Sequence, residues 1–205
     1  MKKNTQNIKC DTFYHIYNRG INGESLFKQE RNYSYFLKQY AKYIAPVAET
    51  YAYCLMGNHF HLLVKIKTAE DVFEVFGKDK ATPKPPNFYV MNQFAKLFNS
   101  YAQSINKAMG RTGSLFEEPF RRIEVNTGQY FKELVSYIHL NPQLHGFVTD
   151  YRDYPHSSYH ILSEQNISQS KQEEVVRWFG DKFQFEDYHR LYYSEKLKLR
   201  AIQEF

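Results

Sequence analysis

Two histidines separated by one phenylalanine, His59 and His61, have residue types and a spacing that could do chemistry. They lie in the run HFHLLVKIK, whose composition and alternation predict a β-strand. Successive side chains of a strand point to opposite faces, so both imidazoles stand on one face and Phe60 on the other. Neutral imidazole is a common metal ligand, and such a pair on a rigid strand is well placed to hold one ion. The alternative is a pair of exposed histidines on a solvated sheet face.

A second candidate pair, Tyr137 and Asn141, lies four residues apart beside the apolar stripe of a predicted helix. A phenol with an unperturbed pKa near 10 is a poor nucleophile at neutral pH. A catalytic tyrosine therefore needs a neighbouring cation or base, and a metal-polarised phosphate is a suitable partner. The chain holds 18 tyrosines, most of which must be packing or surface residues. Tyr137 stands out only in combination with the two histidines.

The elements that position these residues follow from the hydrophobic pattern. Strands are predicted at Phe13–Asn18, Glu49–Met56, His59–Lys67 and Ser114–Val125. Helices are predicted at Arg31–Ile44, from Asn92 to near Gly110, and from Asn126, with Gln129 completing a capping box, toward Asn141 and Pro142. The order β-α-β-β-α-β predicts an α+β, ferredoxin-like fold, a split β-α-β antiparallel sheet with helices on one face. Phe60, Leu62, Val64 and Ile66 should face those helices.

The pattern also predicts how the chain is divided. We expect a catalytic domain over residues 1–160 and a C-terminal helical extension over residues 161–205. The segment Lys78–Asn87 is rich in proline and lysine and is predicted to be an exposed loop. Two more amphipathic helices are predicted after residue 170. One carries Val175, Val176, Trp178 and Phe179, and the other carries Phe185, Tyr188, Leu191, Leu199 and Ile202.

Composition excludes some classes of protein and favours others. The net charge is +5 and the isoelectric point is near 9.0, which favours a polyanionic partner, although a mild basic excess also occurs in proteins that never meet nucleic acid. No stretch approaches the roughly 20 apolar residues of a membrane span, so we expect a cytoplasmic protein without a membrane partner. Cys10 and Cys54 are the two cysteines of the sequence, which makes a disulfide framework or a cysteine zinc site improbable.

Longer motifs point to a known family. The run Tyr53–Lys65, YCLMGNHFHLLVK, followed by Tyr137–Gly146, YIHLNPQLHG, resembles the single-tyrosine HUH transposases, in particular the REP-associated tyrosine transposase group. The runs Tyr14–Gly20, YHIYNRG, and Gly113–Arg122, GSLFEEPFRR, are also similar to that group. Two separated motifs in the right order, on the predicted strand and helix, make the match more specific than either motif alone.

The resemblance implies a nuclease core in which His59, His61 and Asn141 bind Mg²⁺ or Mn²⁺ and Tyr137 is the nucleophile. Attack on a DNA phosphate would give a 5′-phosphotyrosine and a free 3′-OH, and the reverse attack by another 3′-OH would join strands without ATP. Gly57 stands where the family commonly has proline, and we expect it to loosen the hairpin without touching the ligands.

The resemblance also implies a substrate and a set of contacts. The implied partner is single-stranded DNA that carries a hairpin, such as a REP-like element or an insertion-sequence end, and a monomer is expected, with a dimer as the alternative. Arg19, Arg121 and Arg122, and also Lys78, Lys80 and Lys84, are candidates for phosphate contacts. Tyrosine and phenylalanine rings are candidates for stacking on unpaired bases.

Two other functions stay open on the sequence. One is a ferredoxin-like nucleic-acid-binding regulator that does not use the nucleophile. The other is a phosphodiesterase in which a metal-bound water attacks and Tyr137 only packs. Both share the predicted fold, so the fold cannot separate them. The complete set of two histidines, a tyrosine and an asparagine favours the strand-transfer enzyme, because a pure binding module has no need of it.

Overall fold

A computed structural model describes residues 7–78, 80–163 and 170–203, with the side chains of the last range described over 173–196. The strands are β1 (Phe13–Arg19), β2 (Ala48–Met56), β3 (His59–Ile66) and β4 (Arg121–Glu124). The helices are α1 (Glu30–Tyr43), α2 (Ala69–Phe76), α3 (Pro86–Met109), α4 (Gly128–Leu144), α5 (Tyr159–Ser163), α6 (Ser170–Phe179) and α7 (Lys182–Gln203).

The strands form an antiparallel sheet in the order β2-β3-β1-β4. Strand β1 lies between β3 and β4, with Tyr17 opposite His61 and opposite Arg121. This is the order of a split β-α-β sheet, in which the first strand receives a later strand on each side. The predicted α+β, ferredoxin-like fold is confirmed.

One face of the sheet is covered by helices α1 and α3. Phe60 on β3 contacts Phe36 of α1 and Phe98 of α3, with ring centroids 5.4 and 5.8 Å apart. The alternate residues of β3, Phe60, Leu62, Val64 and Ile66, are all buried, as predicted. Each such side chain contributes about 1.5 to 3 kcal/mol through burial. The face that carries His59 and His61 is therefore the face opposite α1 and α3.

Several predicted boundaries were wrong. The strand predicted over Ser114–Val125 is confined to β4, because the preceding residues form an isolated bridge, Phe116 opposite Gly20, instead of a ladder, and Pro119 has no N–H to donate. Helix α3 begins at Pro86 instead of Asn92, since proline is well suited to the first turn of a helix. The predicted loop from Lys78 is correspondingly shorter. Helix α2 was not predicted.

Helix α4 was predicted in the right place but with the wrong cap. Its N-cap is Thr127, whose hydroxyl accepts a hydrogen bond from the Tyr130 N–H at 3.1 Å. Gln129, the predicted partner in the capping box, instead donates to the side chains of Glu133 and Tyr188.

The hairpin turn between β2 and β3 is held by the Gly57 carbonyl, which accepts hydrogen bonds from the backbone N–H groups of Leu26 and Phe27 at 2.8 and 3.0 Å.

The chain forms two compact units. The first contains the described residues up to Thr50 together with Leu55–Val125, and the second contains Tyr51–Cys54 and the described residues from Asn126 onward. The predicted C-terminal helices are confirmed as α6 and α7, although the side chains of Leu199 and Ile202 lie outside the described residues. The functional domains predicted at 1–160 and 161–205 stay predictions. None of the described helices has the length and apolar character of a membrane span.

Candidate active site

The two candidate ligands of the first unit stand side by side on β3. The ring centroids of His59 and His61 lie 5.4 Å apart in an edge-to-face arrangement, as the alternation of the strand predicts. In the sheet register Arg19 of β1 is opposite His59, and Tyr17 is opposite His61. His61 is buried and His59 is half-buried.

The hydrogen bonds of these two rings both engage Nδ1. Nδ1 of His59 lies 2.6 Å from the side-chain oxygen of Asn58. An amide oxygen only accepts hydrogen bonds, so Nδ1 of neutral His59 carries the proton and its lone pair lies on Nε2. Nδ1 of His61 lies 2.9 Å from Nε2 of His15 on β1. A histidine that binds a metal through Nε2 almost always has its Nδ1 engaged by such an outer partner, which fixes the ring and its tautomer.

A layer of flat rings surrounds His61. Tyr17 stacks on His61 and on His15, with centroid distances of 5.6 and 4.6 Å. Burial lowers the pKa of His15 from its usual value to about 3, so this imidazole is neutral at physiological pH. The close packing of these rings restricts the orientations open to His61.

Two of the three predicted DNA-binding arginines lie beside this layer. Arg19 and Arg121 pair with the two oxygens of Glu117 at 2.5 and 3.0 Å. The Arg121 guanidinium also lies 5.9 Å from the centre of the Tyr17 ring. The side chains of Arg19 and Arg121 are 57% and 42% exposed, which leaves them open to a polyanion. They form a basic rim next to the histidine face.

Arg122 is placed differently. It is opposite Ile16 in the sheet register, on the face that α1 and α3 cover, and only 7% of it is exposed. Its guanidinium lies 5.0 Å from the ring of Phe120, and burial lowers its pKa. The structure therefore does not bring Arg122 together with Arg19 and Arg121.

The three lysines predicted as phosphate contacts, Lys78, Lys80 and Lys84, are exposed, and Lys78 forms an ion pair with Glu74 on α2.

In the second unit, α4 carries Tyr137 and Asn141. Tyr137 is half-buried and Asn141 is fully buried. The Asn141 amide donates to the Tyr137 carbonyl at 3.0 Å, while its side-chain oxygen is buried with no hydrogen-bond partner among the described residues. Leaving such an oxygen unsatisfied costs about 1 to 3 kcal/mol. Because hard divalent cations prefer oxygen ligands, this orphaned oxygen fits a metal ligand.

The donor set fits Mg²⁺ or Mn²⁺ in its chemistry. In the parts of the chain that the structure describes, no three His, Cys, Asp or Glu side chains gather to hold a metal. A cation at His59 and His61 would thus need oxygen ligands from an amide, a DNA phosphate or water, which both ions accept. The convergence of His59, His61 and Asn141 on one ion stays a prediction.

Sequence reasoning missed three polar residues of this site. His15 and Asn58 hydrogen-bond the two candidate ligands, and Glu117 pairs with both rim arginines. A signal was available for Asn58, which directly precedes His59. Alternation along β1 also places His15 on the face of Tyr17, but its contact with His61 depends on the pairing of two distant strands.

Fold and site together define a ferredoxin-like protein with a His-hydrophobic-His strand. A curated protein of Haemophilus influenzae (strain Rd), named putative REP-associated tyrosine transposase, is 25% identical over 114 residues, which are 55% of this chain and 59% of that protein. This chain therefore spans less than two thirds of that relative. A solved REP-associated tyrosine transposase bound to a REP hairpin has the same fold, with a TM-score of 0.56, 16% identity, and coverage of 78% of this chain and 84% of that one.

No protein-family model matches the chain. The resemblance to the REP-associated tyrosine transposase group, which the sequence motifs indicate, is confirmed by the curated relative and the solved structure together.

Proposed function

We propose that this chain is a metal-dependent endonuclease and strand transferase that acts on single-stranded DNA carrying a hairpin, such as a REP-like element or an insertion-sequence end. The observation that carries the proposal is the pair of histidines on one sheet face, each with Nδ1 hydrogen-bonded. The name of the curated relative and the REP hairpin bound to the solved transposase support the choice of substrate. We further propose that the protein acts as a monomer.

The proposed ligands are His59, His61 and the side-chain oxygen of Asn141. A bound Mg²⁺ or Mn²⁺ would supply charge neutralisation at the phosphate and stabilisation of the departing oxygen. The protein contributes by holding these donor atoms in place. His59 and His61 are fixed by their Nδ1 hydrogen bonds, and Asn141 is fixed by its bond to the Tyr137 carbonyl.

Tyr137 is the proposed nucleophile. Its phenolic oxygen forms a bond to phosphorus and gives up its proton, and the bond from phosphorus to the 3′ oxygen breaks. That oxygen takes up a proton and becomes a free 3′-OH, while the protein holds a 5′-phosphotyrosine. Attack by a second 3′-OH on this linkage restores a phosphodiester and frees the phenol. The neighbours Leu134 and Ile138 on α4 are buried, so the helix can hold the phenol in line for attack.

The basic rim and the ring layer are proposed to hold the DNA. Arg19 and Arg121 contribute partly exposed guanidinium groups for phosphates. Tyr17 is half-buried and offers a ring for stacking on an unpaired base. Glu117, which pairs with both arginines, holds them in position.

The experiment is incubation of labelled single-stranded hairpin DNA with the protein and Mn²⁺, followed by a denaturing gel. The wild-type protein should form a covalent adduct, and Tyr137→Phe should form none, because that change removes only the nucleophilic oxygen. Tyr130→Phe is the matched control, since it makes the same change on the same helix, and it should keep adduct formation.

Two outcomes would contradict the proposal in different ways. Cleavage by Tyr137→Phe without an adduct would favour the phosphodiesterase in which a metal-bound water attacks. A wild-type protein that binds the hairpin but never cuts it with Mn²⁺ or Mg²⁺ would favour the non-catalytic regulator.

A further inference from the structure

The contact between His15 and His61 joins a candidate metal ligand to a histidine that is neither a proposed ligand nor the proposed nucleophile. Nε2 of His15 lies 2.9 Å from Nδ1 of His61, and both residues are buried. The ring centroids are 5.1 Å apart, and Tyr17 stacks on both rings. A ring packed in this way on a sheet has little freedom to turn.

The single proton between these two nitrogens decides the chemistry of His61. If Nδ1 of His61 carries it, His61 donates to His15 and has its lone pair on Nε2. If Nε2 of His15 carries it, neutral His61 accepts at Nδ1 and its own proton lies on Nε2, where it blocks a metal bond. A ligand that binds through Nε2 therefore requires His15 to be the acceptor.

The neighbouring ligand shows the same arrangement without ambiguity. Nδ1 of His59 faces an amide oxygen, which cannot donate, so its lone pair must lie on Nε2. For His15 and His61 the same result follows when His15 holds its proton on Nδ1. Both candidate ligands then offer Nε2, each with an acceptor behind Nδ1.

We propose that His15 is a positioning residue whose Nε2 accepts the Nδ1 proton of His61 and so fixes the ring and the tautomer that offer Nε2 to a divalent cation. This inference rests on the metal site of the proposed function. It assigns a role to the histidine of the YHIYNRG run, which the resemblance to transposases left without one. His15 is not a third ligand, because its Nε2 is occupied by the bond to His61.

The test compares His15→Phe with His15→Gln in the full chain. Phenylalanine keeps a flat ring but has no acceptor, whereas glutamine supplies an amide oxygen that can accept from Nδ1. Mn²⁺ affinity is measured by calorimetry, and the protonated nitrogen of His61 is identified from ring ¹⁵N shifts in the metal-free protein. His15→Phe should weaken Mn²⁺ binding about 10- to 100-fold. His15→Gln should restore it to within about threefold of the wild type.

The ¹⁵N measurement on the wild-type protein should place the His61 proton on Nδ1. A proton on Nε2 would overturn the proposal even if the His15→Phe variant fails to fold. Wild-type Mn²⁺ affinity in a folded His15→Phe variant would overturn the role of His15 alone and leave the metal site intact. A wild-type protein that binds no Mn²⁺ would overturn the metal site, and the role of His15 with it.

Discussion

Each compact unit contains a pair of stacked histidines joined by a hydrogen bond, and the two pairs are alike in geometry. His15 and His61 lie on the sheet of the first unit, whereas His139 and His189 lie on α4 and α7 of the second. In both pairs the bonded nitrogens are 2.9 Å apart and the ring centroids are 5.1 Å apart. Spacing between two rings therefore does not tell a functional histidine from a structural one.

The two pairs differ in their surroundings. Nδ1 of His189 donates to the Phe185 carbonyl at 2.7 Å, so its Nε2 accepts from Nδ1 of His139. Nε2 of His139 then accepts from the Ser158 hydroxyl at 2.9 Å. All four ring nitrogens are satisfied inside the protein, and both rings are fully buried. We therefore expect this pair to stabilise the fold, whereas His61 of the first pair lies beside half-buried His59, the other proposed metal ligand.

The largest effect is expected at His61. His61→Ala removes one of the few proposed protein ligands, so Mn²⁺ affinity should fall about 100-fold or more. Calorimetric titration measures the affinity, and a urea curve confirms that the variant is folded. An affinity equal to that of the wild type would show that His61 is not a metal ligand. The His15–His61 pair would then have no functional distinction from the His139–His189 pair.

The opposite pattern is expected at His189. His189→Leu leaves the Nδ1–H of His139 buried without a partner, while the Phe185 carbonyl keeps its helical bond from the backbone N–H of residue 189, so the free energy of unfolding should fall by about 1 to 3 kcal/mol. Urea unfolding measures this loss, and Mn²⁺ affinity should stay within about twofold. Half-buried His160 provides the control, since His160→Leu should cost less than about 0.5 kcal/mol. Equal stability of wild type and His189→Leu would contradict a structural role.

The pH dependence of stability sharpens the same contrast. Burial lowers the pKa of His189 to about 4 and that of His139 well below its usual value. Their neutral forms stabilise the protein fully above pH 6.5, and this contribution is lost as pH falls toward 4, because the unfolded state binds the protons first. The loss is at most about 1.4 kcal/mol per pH unit for each histidine.

His189→Leu removes one of these titrating groups. The difference in unfolding free energy between wild type and His189→Leu should therefore narrow as pH falls from 6.5 to 4. Urea curves at several pH values measure it. A difference that stays constant over this interval would contradict the lowered pKa.

The smallest effect concerns the rim beside His61. Arg121→Ala should lower the slope of log affinity for single-stranded hairpin DNA against log salt by about 0.7 to 1, with little change in stability. Fluorescence anisotropy at several salt concentrations measures the slope. Arg122→Ala is the matched comparison, because the Arg122 side chain is buried on the opposite face of the sheet. It should lower the free energy of unfolding more than Arg121→Ala does, and it should change the salt slope less. A larger slope change in Arg122→Ala would place the DNA elsewhere.

Much of the fold could be predicted because its signals are local. Alternation predicted β3 and the separation of Phe60 from the two histidines, and helical periodicity predicted α1 and α4. Helix α2 is only eight residues long, which is too short for a clear period. The segment from Ser114 has strand-like residues, yet Pro119 and the isolated bridge at Phe116 confine the ladder to β4.

The site was less predictable because its contacts cross strands. His59 and His61 were found from their spacing, but the partner of His61 depends on the register between β1 and β3. The separation of Arg121 from Arg122 was in principle predictable, since consecutive residues of a strand face opposite sides. The difference between the two histidine pairs depends on hydrogen bonds to Ser158 and to a backbone carbonyl, which no motif encodes.

The most direct test of this contrast is a ring ¹⁵N spectrum of the histidines with and without Zn²⁺, a diamagnetic divalent probe. Each signal is assigned by replacing one histidine at a time. Zn²⁺ binds imidazole nitrogen directly. We predict that Nε2 of His59 and Nε2 of His61 shift on coordination while the ring nitrogens of His139 and His189 keep their positions. Unshifted signals from His59 and His61 would contradict the proposed metal site on the sheet. Equal shifts in His139 and His189 would contradict a purely structural role for that pair.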